Sequence, residues 1–507
     1  MTLEDRPQRR EPTATRPSPG FLLELRDGPL PLFLRIAQAV EGDIRRGRLQ
    51  PGAVLPGSRS LASSLGVHRN TVLAAYRELE AQGLIETVEA KGTRVSSALP
   101  APSRARSRPA SRAERSRAPF DLAPCPPETV FRPPPTTARP IMLLGGVPDL
   151  RRVPRVALAR AYRRALLASA GDILGYGDPR GEERLRAALA ALLSETRGLS
   201  IDAESVLVAR GSQQALYLAA RTVLAPGDVV AVEEFGYSPA WEALRAAGAT
   251  LVPVPVDARG LDVSSLERLV AGRGVRAVYV TPHHQYPTTV LMAPERREAL
   301  LALARTARLA IFEDDYDHEF HYAGRPVAPL AASDDSGHVI YLGTLSKILA
   351  PGLRVGFVAA TRPVLDAMVR HRTILDRQGD RTLERAVADL IEDGEVRRHA
   401  RRMRRVYEAR RAVLAESLRA HLADHLTFEL PAGGMAVWAA VRGLPVRAWA
   451  EACALRGVLF QAGERFAFDG RDRAFIRLGY GAETENRIAT GVRKMAEAAR
   501  SLVNRRL

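Results

Sequence analysis

The feature that most constrains this 507-residue chain is a stretch that cannot build a core. Residues 98–140 are crowded with Pro, Ala, Ser and Arg and carry no apolar period at helix or strand spacing. Such a segment buries too little surface to offset the entropy of ordering it, so it reads as a linker. It divides the chain into a short N-terminal part, residues 29–97, and a long C-terminal part, residues 141–507, each of which needs a core of its own. Arg104, Arg106, Arg108, Arg112, Arg115 and Arg117 are opposed locally only by Glu114. The linker is therefore a solvated tether or a supplementary phosphate-contacting arm. Residues 1–28 are polar and Pro-rich, and read as a flexible lead.

Composition narrows the class. With 46% hydrophobic and 26% charged residues, both parts have the material for globular folding. The net charge of +17, from 74 Lys and Arg against 57 Asp and Glu, fits a polyanionic partner, although an Arg-rich composition alone produces the same balance. Cys125 and Cys453 cannot supply a disulfide framework or a metal pair, which makes a reducing cytoplasm the expected home. No signal-like run opens the chain, and no stretch reaches the roughly 18 apolar residues of a span, so no membrane partner is expected.

In the N-terminal part, Leu32, Ile36, Val40 and Ile44 recur at helical spacing, and Gly47 stops that helix. Residues 58–65 predict a short helix with Ser58 as N-cap, Gly66 and Val67 a turn, and residues 70–82 a second helix striped by Val72, Ala75, Tyr76 and Leu79. Residues 84–88 and 93–96 predict a hairpin. This is a winged helix-turn-helix pattern. Such a motif reads DNA with the N-terminal end of its second helix, here His68, Arg69, Asn70 and Thr71, of which Arg and Asn match guanine and adenine edges. Arg59, Lys91 and Thr93 flank that tip as expected phosphate contacts. The alternative is a helical pair used for protein contacts.

The segment resembles the GntR-type winged helix throughout: Pro31 to Phe33, Arg48 to Gly52, Leu55-Pro56, Arg59, Leu61-Ala62, Leu65-Gly66-Val67, Arg69, Thr71-Val72, Ala75-Tyr76, Leu79, Gly83-Leu84 and Gly92-Thr93. It departs at Gly57, inserted before Ser58, and at His68, where Ser or Thr is usual.

Beyond residue 141, apolar runs at 205–209, 229–232, 275–280 and 309–312 alternate with amphipathic helical stretches, which predicts an α/β domain with a mostly parallel sheet. Lys347 stands in Thr344-Leu345-Ser346-Lys347, followed by Arg354. A pyridoxal-phosphate site needs such an amine, with hydroxyls and a guanidinium for the phosphate, and a carboxylate for the pyridine nitrogen. Asp314 and Tyr316, two apart at the end of a strand, address one face. Asp314 suits the pyridine nitrogen and Tyr316 the ring oxygen; a metal cluster of the neighbouring carboxylates is the competing reading. Gly211, Ser212 and Gln213 follow a strand and start a helix, a natural phosphate cradle. Tyr237 ends another strand and suits stacking on the ring.

Together these pieces resemble the fold-type I aminotransferases across 141–507. The resemblance implies that Lys347 is the Schiff-base lysine of pyridoxal 5'-phosphate, that Tyr176 reaches the phosphate of a partner subunit, that the loop 281–289 lies beside the cofactor, and that Arg477 binds a substrate carboxylate. Head, linker and body in this order, with the His284-Gln285-Tyr286-Pro287 loop and the Glu313-Asp314-Asp315-Tyr316-Asp317 run, resemble the MocR family of regulators. Tyr286 stands where simple aminotransferases place an asparagine, and Thr289 replaces a common glycine. His318 and His321 lack the zinc-protease spacing and read as structural, with no metal expected.

The resemblance implies a homodimeric regulator that binds a double-stranded DNA operator and senses an amine or amino-acid effector, or pyridoxal phosphate itself, at Lys347. The alternative is an active aminotransferase with an appended DNA-binding head. Steady turnover of an amino donor and a keto acid would mark the enzyme, and specific operator binding the regulator.

Overall fold

The apolar stripes of the N-terminal part close on one small core. In the computed structural model of the chain, the described residues are 23–25, 27–88, 92–99, 120–122, 139–168, 173–324 and 326–504. The chain divides into two compact units, residues 1–124 and 125–507. In the first, helices α1 (Leu32–Arg45), α2 (Ser58–Leu65) and α3 (Arg69–Ala81) bury Ile36, Val40, Leu61, Val72, Ala75 and Leu79 against one another. Strands β1 (Ile85–Val88) and β2 (Gly92–Val95) pair antiparallel as the wing. Backbone bonds from Gly52 N to Val95 O and from Leu55 N to Thr93 O, 2.9 and 2.8 Å, lay residues 52–55 along the other edge of β2.

One expectation needs correction. Ser58 is the first residue of α2, and its N-cap is Gly57, which has no side chain to cap with. The hydroxyl of Ser58 instead accepts a 3.3 Å hydrogen bond from Arg69 Nε, which ties the two helices of the motif together. The inserted glycine thus shifts the helix start and frees the serine. Helix α3 likewise starts one residue earlier than the sequence spacing predicts, because His68 caps it.

The second unit carries a seven-stranded sheet. Its strands are β3 (Val206–Ala209), β4 (Val229–Glu233), β5 (Thr250–Val254), β6 (Val275–Val280), β7 (Ala310–Asp315), β8 (Val339–Thr344) and β9 (Gly356–Ala359). The spatial order is β3-β9-β8-β7-β6-β4-β5, with β9 antiparallel to both neighbours and every other pairing parallel. Helices cover both faces, so strands such as β8 are buried along their whole length and read as apolar runs without alternation. Such sheets bind ligands beyond the carboxyl ends of their strands. That edge is where Arg210 to Gln213, Phe235 to Tyr237, Thr281 to Tyr286, Asp314 to Tyr316 and Thr344 to Lys347 all emerge.

A smaller antiparallel sheet of β10 (Leu426–Phe428), β11 (Ala436–Val441), β12 (Gln461–Ala462) and β13 (Phe475–Gly479) is ordered β10-β11-β13-β12. It packs with the long helix Glu395–Leu422 and the helix Glu485–Asn504 around Trp449, Leu414, Leu478 and Val492. No described helix is long and apolar enough to cross a membrane.

Candidate functional site

At the tip of the head, His68 Nδ1 accepts a 3.2 Å hydrogen bond from the backbone N–H of Asn70. Histidine therefore performs the serine-like cap, with its ring proton on Nε2. His68, Arg69 and Asn70 are exposed and Thr71 is half-buried, so the side chains expected to reach base edges stand on the surface. Arg59 is exposed and Thr93 half-buried on the flanks, whereas Lys91 lies outside the described residues.

In the second unit, one cavity of about 450 Å³ gathers Ser212, Gln213, Tyr237, Tyr286, Asp314, Tyr316, Thr344, Ser346, Lys347 and Arg354. Ten residues spread over some 140 positions converge because their strands end at one edge of the sheet. Lys347 Nζ donates to Gly146 O at 2.7 Å. Burial, reinforced by the charge of Arg477, pushes its pKa down to about 8, so a minor but appreciable fraction of the amine is neutral near physiological pH. Asp314 is buried, accepts from Tyr279 Oη at 2.7 Å through Oδ2, and has no hydrogen-bond partner for Oδ1 among the described residues. Burial raises its pKa to about 6.

The segments around Ser346 and Arg354 are held tightly. Thr344 Oγ1 donates to Ser346 Oγ at 2.9 Å, and Arg354, in a left-handed conformation at φ 52°, donates to Arg210 O at 3.0 Å. Gly211 has φ +80°, and a Cβ there would meet the Arg354 guanidinium at 2.7 Å. It does not line the cavity; it lets the guanidinium lie over the helix start that supplies Ser212 and Gln213.

Arg477 does not line the cavity; it is fully buried, and none of its three guanidinium nitrogens has a hydrogen-bond partner among the described residues. Its guanidinium stacks 4.4 Å from the Tyr286 ring centre, and Tyr286 meets Tyr237 edge-on at 5.3 Å. Tyr316 Oη donates to His284 O at 2.8 Å rather than into the cavity. Tyr176 stands apart, exposed, with the Arg377 guanidinium 3.9 Å over its ring. Thr289 adopts φ 65°, so the loop keeps the left-handed turn that a glycine would make there.

Sequence reasoning missed Tyr279, Gly145 and Gly146. Tyr279 sits in the apolar run of β6, where a lone hydroxyl was the available signal. A Cβ on Gly145 would lie 1.6 Å from Arg477 Nη1, a closeness that no local pattern announces.

Residues 141–494 match the family described as aminotransferase class I and II, and residues 32–95 match bacterial regulatory proteins, gntR family. Over 482 residues the chain is 33% identical to the probable rhizopine catabolism regulatory protein MocR of Rhizobium meliloti, covering 93% of this chain and 94% of that protein. The chain belongs to the MocR-type regulators. It is a DNA-binding regulator with an aminotransferase-like body. The body of this MocR-type protein is similar to the multiple substrate aminotransferase of Thermococcus profundus, with TM-score 0.68 and 30% identity, covering 73% of this chain and 93% of that one. It is also similar to LysN, the α-aminoadipate aminotransferase of Thermus thermophilus, with TM-score 0.66 and 29% identity, covering 72% and 93%. That structure holds N-(5'-phosphopyridoxyl)-L-leucine. Pyridoxal phosphate is the cofactor of the aminotransferase class to which the MocR-type body belongs.

Proposed function

We propose that this protein regulates transcription by coupling an amino-acid effector, taken up at a pyridoxal-phosphate site built on Lys347, to DNA binding by its head. The observation that carries this reading is the convergence on one cavity of the buried amine of Lys347 and the Oδ1 of Asp314, which has no partner among the described residues, with the equally unpartnered guanidinium of Arg477 stacked on Tyr286 of the cavity wall. Buried polar groups are ordinarily paired, so these await a ligand with an electrophile, a ring N–H and a carboxylate. Pyridoxal phosphate with an amino acid meets all three demands.

When bound, the cofactor supplies an aldehyde carbon and a conjugated ring that accepts electrons. Lys347, neutral in part through burial, provides the amine that holds it. Asp314, kept in place by Tyr279, holds a proton at the pyridine nitrogen; that cationic partner favours the ionised carboxylate against the burial that disfavours it. Ser212, Gln213, Ser346 and Arg354, with Thr344 behind Ser346 and Gly211 opening the helix, bind the phosphate. Tyr237, Tyr286 and Tyr316 wall the ring and exclude water. Arg477 takes the effector carboxylate by a charge-assisted fork. The exposed Tyr176 belongs to the cavity of a second subunit, which makes the working unit a homodimer with paired heads over repeated half-sites. The protein works in the cytoplasm.

A second reading, an active aminotransferase, is favoured by the retention of Lys347 and Asp314 in one cavity, with Arg477 stacked on Tyr286 of its wall. Operator binding by purified protein, measured by fluorescence anisotropy with and without a panel of amino acids, separates the two. A change in operator affinity on adding one amino acid, abolished in Lys347→Ala, supports regulation. Steady keto-acid turnover with no effect on DNA binding overturns it.

A further inference from the structure

Behind the wall of the cofactor cavity, four imidazoles share one buried compartment. His283 and His284 follow strand β6, and His318 and His321 lie on the turn after β7. Each is at most 3% exposed. The ring centres of His283 lie 4.3 Å from His284, 4.5 Å from His318 and 5.7 Å from His321, and His284 and His321 are 5.8 Å apart.

A histidine packed merely as an apolar plate leaves its nitrogens unpaired at a cost, and one such residue is ordinary. Four together are not. Both nitrogens of His283, Nε2 of His284, Nε2 of His318 and Nδ1 of His321 lack a hydrogen-bond partner among the described residues. Potential ligand atoms of His283, His284 and His321 all lie within 4.8 Å of one another. Asp317 Oδ1 lies 2.7 Å from His284 Nδ1, which places the proton there and leaves the Nε2 lone pair free. A carboxylate behind a ligating imidazole is the recurrent support of metal-binding histidines. Asp315 Oδ2 stands 3.1 Å from His318 Nδ1, so a second carboxylate adjoins the cluster. Gly433 keeps side-chain atoms away from Nε2 of His284, since a Cβ there would come within 2.2 Å of it.

We propose that His283, His284 and His321, with His318 adjoining, form a binding site for a divalent transition-metal cation of the zinc class. Imidazole nitrogens suit zinc and its neighbours and not magnesium or calcium, which take oxygen ligands. The carboxylates of Asp315 and Asp317 balance the charge of the cation. A tetrahedral zinc about 2.0–2.1 Å from each nitrogen sets the nitrogens about 3.3–3.4 Å apart, so the rings close by up to about 1.5 Å on loading.

The site ties the loop carrying Tyr286 to the turn after β7. Tyr316 Oη already bonds to His284 O, so the cation stiffens the wall of the cofactor cavity and acts as a positioning element rather than a reacting one. The site would change the earlier reading of His318 and His321 as purely structural.

The test uses the full chain, stripped with chelator, then loaded with Zn²⁺ or Co²⁺ and desalted. The expected result is about one metal per chain by elemental analysis, and visible absorption of low-symmetry Co²⁺ with nitrogen ligands. His283→Ser and His321→Ser abolish retention, and Asp317→Asn weakens zinc roughly 10- to 100-fold in a competition titration. Circular dichroism checks the variants for folding. A wild-type chain that retains no metal and shows no Co²⁺ bands overturns the proposal, whatever the variants do. Equal retention by folded His283→Ser and His321→Ser overturns it too, because the metal then sits elsewhere.

Discussion

Tyr279 donates to Asp314 across 2.7 Å, and this single bond leaves one carboxylate oxygen of Asp314 held and the other, Oδ1, without a partner among the described residues. The parallel pairing of β6 and β7 places these two side chains together, since neither strand alone brings a hydroxyl to the acid. Replacing Asp314 by Asn keeps the shape and removes the charge. Cofactor affinity is expected to fall by about 1.5–3 kcal/mol, roughly 10- to 150-fold, as read from absorbance titration of the stripped protein with pyridoxal phosphate. An unchanged affinity would remove Asp314 from the ring nitrogen.

The depressed pKa of Lys347 sets a pH dependence. Only the neutral amine captures an aldehyde, and its fraction rises about tenfold per pH unit below the pKa and levels above it. With that pKa near 8, the rate of cofactor capture by stripped protein should climb from pH 6 to 8 and flatten by about pH 9. A lysine with an ordinary pKa of 10.5 would keep climbing. Stopped-flow absorbance distinguishes the two shapes, and Lys347→Ala should show no covalent capture at any pH.

Gly145 and Arg477 are coupled by contact. A Cβ at 145 would overlap Arg477 Nη1, so Gly145→Ala should displace the guanidinium and abolish the response of DNA binding to a carboxylate-bearing effector while cofactor absorbance persists. Arg477→Ala should do the same, at a cost of about 2–5 kcal/mol in effector affinity, and Arg477→Lys should not rescue it because it lacks the fork. The double variant should be no worse than Arg477→Ala, since neighbours in contact are not additive. Additive losses in titration calorimetry would place the two in separate roles.

In the head, Arg69→Ala and Asn70→Ala should each weaken a cognate operator by about 1–3 kcal/mol and relax preference at one base pair, whereas Thr93→Ala should weaken all sequences alike. Competition anisotropy against scrambled DNA reads the difference.

His68→Ala removes the cap that accepts from Asn70 N, and should destabilise the head by about 0.5–2 kcal/mol, with His68→Ser recovering most of it. Thermal unfolding of the full chain, followed in the transition of the head, measures this. A fully stable His68→Ala would mean that the ring acts on DNA alone.

Much of this was legible along the chain. Lys347, Asp314 and Arg354 announced the cofactor because charged groups flanked by apolar strand ends are out of place unless something answers them. The head was legible because a helix-turn-helix is local, with every turn and stripe inside some 65 residues. The cap at Ser58 failed as an expectation because Gly57 shifted the boundary by one residue, and helix ends are decided by a single backbone conformation.

The sequence by itself determined the separation of a winged-helix head from an α/β body with a mostly parallel sheet and the class of cofactor that body takes, because hydrophobic period, linker composition and motif spacing are properties of neighbours in the chain. Only the tertiary structure decided that Tyr279 steadies Asp314, that Gly145 makes room for Arg477, and that His283 and His284 meet His318 and His321. The first and third groups are brought together by parallel strands whose register and order are set by burial across the whole sheet, and Gly145 meets Arg477 because residue 143 bonds to the end of the antiparallel strand β13, conditions that no local stretch of residues carries.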